Sequence, residues 1–89
     1  GSTALAIFTD KSSYKKGSTI QVTGTGFGIS EQVSIRVRIN EHTTNDKKVT
    51  TTSTGTLAGT LKADTKGIGY VKGEGLTSHL IARKAITIT

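Results

Sequence analysis

The sequence predicts an all-β domain of seven to eight short, mostly antiparallel strands, and three observations carry that expectation. Apolar and polar residues alternate at period two along most of the chain, and no stretch sustains a 3.6-residue period for three turns. Threonine is the commonest side chain, and its branched Cβ suits a pleated, half-exposed surface better than a helix interior. Turn signals rich in Gly, Asn, Asp and Ser punctuate the alternation, as in a sandwich or small barrel.

The first strand is expected over Ala4 to Thr9, with Leu5 and Ile7 on one face. Asp10 to Gly17 reads as a polar crossing loop anchored to the core edge by Tyr14. Ser18 to Gly24 alternates again, Ile20 and Val22 inward, Gln21 and Thr23 outward. The clearest strand is Gln32 to Ile39: Val33, Ile35, Val37 and Ile39 share one face, and Ser34, Arg36 and Arg38 share the other. Asn40 to Lys48 is read as a polar hairpin loop and Val49 to Ser53 as a short exposed edge strand. Thr56 to Ala63 follows with Leu57 and Leu61 inward and Gly59 marking a close backbone approach. Asp64 to Gly67 supplies turn chemistry before a strand over Gly67 to Gly73, and Glu74 to Thr77 turns the chain once more. The closing segment, Ser78 to Thr89, admits two readings: one long edge strand, or two short strands joined at Arg83-Lys84. Arg-Lys lacks the positive-φ residues that a tight hairpin prefers, yet the hairpin is the reading slightly favoured, on the resemblance given below.

Eighty-nine residues make a single domain with a modest core. Gly1-Ser2 reads as a cloning scar, and residues 3-89 as one module excised from a larger multidomain protein. With 0 cysteines, disulfides and thiolate metal sites are excluded. No run approaches the roughly 20 apolar residues of a membrane-spanning helix. Lys and Arg number 12 against 6 Asp and Glu, a net charge of +6, which steers a domain toward anions or simply keeps it soluble.

The glycines of YKKGSTIQVTGTGFG, Tyr14 to Gly28, raise the question of a phosphate cradle. A dinucleotide fingerprint needs its third glycine at position 29, where Ile29 stands, and a helix must follow to aim its amides at the phosphate. The next regular element is a strand, and the Gly-Lys-Ser/Thr ending of a P-loop is missing. Gly24 and Gly26 are better read as ending a strand at a tight corner, with Phe27 turning back to plug the core. His42 and His79 have no third ligand at a usual metal spacing, and Lys66 opposes a cation at Asp64-Thr-Lys-Gly67. No serine lies in a Gly-x-Ser-x-Gly elbow, and no carboxylate pair shares a strand face. The expectation is therefore no catalytic residue, no cofactor and no metal.

One feature remains open. Arg36 and Arg38 project from the same strand face, and Arg83, with His79, joins them if the closing strands lie alongside. Guanidinium groups match phosphate, sulfate or uronate oxygens bidentately. Against a nucleic-acid partner, aromatics are few, and Phe8, Tyr14, Phe27 and Tyr70 all read as core or edge members. Long cationic side chains also protect a sheet against edge pairing with no ligand at all.

"TDKSSYKKGSTIQVTGTGF", Thr9 to Phe27, resembles the start of the immunoglobulin-like modules found in tandem in bacterial and archaeal surface proteins and secreted enzymes. "EQVSIRV", Glu31 to Val37, is similar to that family's next strand; "LKADTKGIGYV", Leu61 to Val71, to its Asp-x-x-Gly hairpin; and "SHLIARKAITIT", Ser78 to Thr89, to its closing pair of strands. The Asp-Lys-x-x-Tyr-x-x-Gly form resembles archaeal S-layer and cell-surface proteins. Departures are the missing proline near Lys16-Gly17 and the longer polar segment from Asn40 to Thr54. The resemblance implies an immunoglobulin-like β-sandwich at the cell surface or outside the cell. Its job would be structural or adhesive, with neighbouring domains, other surface proteins or carbohydrate as partners. The alternatives are a module that binds an acidic glycan or nucleic acid through Arg36, Arg38 and Arg83, and an accessory domain of an extracellular hydrolase.

Overall fold

The computed structural model describes residues 4–89; the Gly1-Ser2 scar expected from the sequence lies outside the described residues. Eight strands form two sheets: β1 (Ala6–Thr9), β2 (Ser13–Tyr14), β3 (Thr19–Thr25), β4 (Gln32–Ile39), β5 (His42–Thr50), β6 (Leu57–Lys62), β7 (Gly67–Gly75) and β8 (Ile81–Ile88). One sheet has the order β1-β3-β6 and the other β2-β8-β7-β4-β5. Every pairing is antiparallel except the short parallel β2–β8 contact. The fold is an immunoglobulin-like β-sandwich.

Strand alternation builds the core as the sequence predicts. Ile20 and Val22 of β3, Val33, Ile35, Val37 and Ile39 of β4, and Leu57 and Leu61 of β6 are all buried between the sheets. Burying a side chain of this size is favourable by about 1.5–3 kcal/mol, so these positions carry much of the stability. Phe27 closes one end of the core and Tyr14 the other, both as expected.

Tyr14 does more than fill space. Its hydroxyl donates to the Asp10 carboxylate and accepts from the Lys11 amide at 3.0 Å, while Asp10 also accepts from the Gln21 amide at 3.2 Å. Burial, and then the bond to Asp10, push the tyrosine pKa up; the same hydroxyl is the main cause of the lowered Asp10 pKa. Tyr14→Phe keeps the packing and strands the Lys11 amide. The expected loss is about 1–2 kcal/mol in urea unfolding. A variant as stable as the parent would show that packing alone anchors this loop.

Four local expectations need correction. The polar run Asn40 to Lys48 is mostly strand: β5 begins at His42, directly opposite Ile39. The hairpin is a two-residue turn with Asn40 at φ 51° and Glu41 at φ 69°, the geometry of a type I′ turn. An edge strand needs a partner's backbone ladder more than an apolar face, so a run with only Val49 packed on the core can still form one. Second, the chain beyond Thr50 is no edge strand, because Thr51 is buried and its hydroxyl spans two loops. Third, the closing segment is one strand. β7 runs two residues further than expected, to Gly75, so β8 pairs with it from Ile81 to Ile88 and Arg83-Lys84 lies mid-strand. The reversal falls at Leu76–Leu80, where His79 adopts φ 63° in a loop rather than a strand. Fourth, Phe8 and Tyr70 lie on outer faces, and Phe8 is 50% exposed.

Two of the glycines in the opening run have separate tasks. β3 continues through Gly24, whose absent Cβ leaves room for Leu57, Ile7 and Phe27. Gly26, at φ 79°, makes the corner; a Cβ there would lie 2.5 Å from the Leu5 Cα. At Gly59 the close neighbours are the Val49 and Ile35 side chains rather than backbone.

The molecule measures 37 × 21 × 17 Å, and a nine-residue strand spans about 30 Å, so the long axis follows the strands. β1 starts beside Gly26 and Phe27, whereas β8 ends beside Tyr14 and Lys16. Entry and exit are therefore at opposite ends.

Candidate functional site

The outer face of the five-stranded sheet gathers the candidate residues. Register places Asp46, Arg36, Lys72 and Arg83 in one row across β5, β4, β7 and β8. The row toward the entry end is Lys48, Ser34, Glu74 and Ile81, and the row toward the exit end is Thr43, Arg38, Tyr70 and Ala85. Adjacent strands are about 4.8 Å apart, so Arg36, Lys72 and Arg83 step across the sheet at that interval. Arg36 and Arg83 thus share a face, as expected, but β7 separates them and puts Lys72 between.

Each side chain has a local tether. The Arg36 guanidinium donates to Ser34 Oγ at 3.2 Å. Arg38 reaches toward the β4–β5 turn, donating to the Glu41 carbonyl at 2.8 Å and to Thr43 Oγ1 at 3.4 Å, while its Nε is buried without a partner. At the β-bulge opposite Val37 and Arg38, β5 carries the extra residue Thr44, which brings Thr43 level with Arg38 beside the turn. Arg83 lies over the Tyr70 ring, 5.3 Å from its centroid. Lys72 and Glu74, 3.8 Å apart, form the one ion pair among the described residues. Asp46 stands opposite Arg36 in register without coming into ion-pair range.

Lys72 and the Arg83–Tyr70 stack were not singled out from the sequence. The alternation in GIGYVKGEG carries the signal, since it puts Tyr70, Lys72 and Glu74 on one face. His79 does not join the group: it sits in the loop at the entry end, and His42 lies at the exit end beside the Asn40-Glu41 turn. The two histidines therefore cannot share a ligand. Among the described residues no three His, Cys, Asp or Glu side chains converge as a metal site would require.

A second polar cluster lies at the entry end. Glu31 is buried, and its carboxylate accepts from the Gly28 amide at 2.5 Å, the Thr77 amide at 3.1 Å, the Ser78 amide at 2.9 Å and Ser78 Oγ at 2.7 Å. Burial raises its pKa, but these bonds more than offset that and hold it at about 2. The Thr51 hydroxyl accepts from the Glu31 amide and donates to the Gly28 carbonyl, at 2.8 and 2.6 Å. Every oxygen of Glu31 is occupied by its own chain, so the cluster locks together the β3–β4, β5–β6 and β7–β8 loops.

No family model matches the chain, and no curated protein does. Solved structures similar in fold include macromomycin and a CARDB domain. Macromomycin superposes with a TM-score of 0.79 at 14% identity, covering 97% of this chain and all of that one. The CARDB domain of a Pyrococcus furiosus protein, in complex with di-metal ions, gives a TM-score of 0.57 at 12% identity, covering 96% of this chain and 85% of that one. At these identities the likeness concerns the sandwich alone.

Proposed function

We propose that this chain is a non-catalytic, structural or adhesive module of a cell-surface or secreted protein, one that spaces or presents other domains. The supporting observation is that the chain enters and leaves at opposite ends of the 37 Å axis, so domains fused at the two ends are held apart along the strands. The sequence resemblance to surface modules of bacteria and archaea points the same way. Thr87 donates to the Ser12 carbonyl at 3.0 Å, Thr89 to Tyr14 at 2.8 Å, and Lys16 to Thr89 at 3.0 Å. These bonds tie the first crossing segment to the last strand. A pull on the two ends shears them together instead of opening them singly.

Single-molecule stretching of a tandem array of this chain tests the reading. Evenly spaced, cooperative unfolding peaks are expected, one per module. Extension without a peak would remove the load-bearing role.

A further inference from the structure

We infer that the outer face of the five-stranded sheet is a binding face for an extended acidic polysaccharide, with Arg36, Lys72 and Arg83 as its central row. Lys72 is directly opposite Arg36 on one side and Arg83 on the other. Like charges in directly opposed cross-strand positions destabilise a sheet. Within this row the only acidic residue is Asp46 at the far end, out of ion-pair range of Arg36, and Glu74 meets Lys72 alone. A line of cations at about 5 Å steps on a flat face is costly to the free protein and complementary to anions in series. Lys48 and Arg38 extend the positive field to either side of the row.

The class of anion follows from what else the face offers. Single-stranded nucleic acid needs exposed aromatic platforms, and the one aromatic here, Tyr70, is covered by Arg83. Duplex DNA needs a helix or ribbon that enters a groove, whereas this surface is a sheet face. Uronate and sulfate groups ask only for forked or point donors on an open surface, which Arg and Lys supply. The Arg36–Ser34 bond and the Arg83–Tyr70 stack hold two of the guanidinium groups in place before the ligand arrives.

The test uses a sulfated, heparin-type oligosaccharide and a single-stranded oligodeoxynucleotide of equal charge, titrated at low and at physiological salt. Expected is binding of the oligosaccharide that weakens with salt and exceeds that of the oligodeoxynucleotide. The triple variant Arg36→Ala, Lys72→Ala, Arg83→Ala should weaken it about tenfold or more, as charge-assisted contacts are lost. Removing the same charge elsewhere, by Lys15→Ala, Lys16→Ala, Lys66→Ala, should change it little. Lys72→Glu supplies the check that folding failure cannot mimic. It turns two repulsive cross-strand pairs into attractive ones at the expense of the Lys72–Glu74 ion pair, so the thermal midpoint should stay within a few °C of the parent's while binding is lost. Equal losses in the two triple variants, tighter binding of the oligodeoxynucleotide, or no binding at low salt would each overturn the proposal.

Discussion

Glu31→Gln is expected to lower the unfolding free energy by about 2–4 kcal/mol at pH 7, a large share of what a domain this size has. The amide keeps the shape but brings an NH2 group against donors: the Gly28, Thr77 and Ser78 amides all point at the carboxylate. At least one of those contacts becomes donor against donor. The pH dependence follows from the sign of the shift. Glu31 has a folded-state pKa of about 2, below the ordinary 4.5, so its contribution is fully present above about pH 5. It is lost as pH falls through the window from 4.5 to 2. Asp10, also lowered, adds to the acid limb in both proteins, so the difference between parent and variant isolates Glu31. Urea unfolding at pH 7, 4 and 2.5 should show the gap shrinking as the parent protonates. A gap that stays constant down to pH 2.5 would mean that the charge is not what holds the loops.

What could be seen in the sequence, and what could not, separates along a physical line. Alternation reports which residues of a strand face the core, so Gln32 to Ile39 and Thr19 to Thr25 were legible down to single side chains. The same signal fails for His42–Thr50, because an exposed edge strand is held by β4's ladder and leaves little imprint on its own composition. Register between strands is also invisible to a single strand's pattern. Arg36 and Arg83 could be placed on one face, but Lys72 came between them only once β7 was known to pair with both β4 and β8. Glu31 was missed for a related reason: its partners Thr77 and Ser78 are 46 and 47 residues away in sequence. A lone Glu before a strand carries no mark of being buried.

Phe27→Ala should be the most damaging core substitution, with an expected loss of about 3–5 kcal/mol. The ring seals the entry end, and the chain has made room for it by leaving side chains out elsewhere. A Cβ on Gly73 would stand 2.7 Å from Ile7 Cδ1 and 3.3 Å from Phe27 Cζ; a Cβ on Gly24 would stand 3.1 Å from both Ile7 Cδ1 and Phe27 Cε2. Both glycines are buried strand positions, and neither has a positive φ, so the missing methyl matters for space rather than for backbone conformation. Gly73→Ala alone should therefore overpack the site and cost about 1–3 kcal/mol. The stronger test is the pair. Phe27→Leu removes the ring atom at 3.3 Å and gives Ile7, the nearer contact at 2.7 Å, room to move aside, so Gly73→Ala should cost less in that background than in the parent. Residues in contact commonly couple by about 0.5–3 kcal/mol, which urea denaturation of the four proteins can resolve. Strict additivity would show that the two positions do not share the same space. Coupling of the expected sign would mean that the glycines on facing strands make room for Ile7 and Phe27 together. That assigns Gly24, first met as part of a suspected phosphate loop, to packing the end of a β-sandwich.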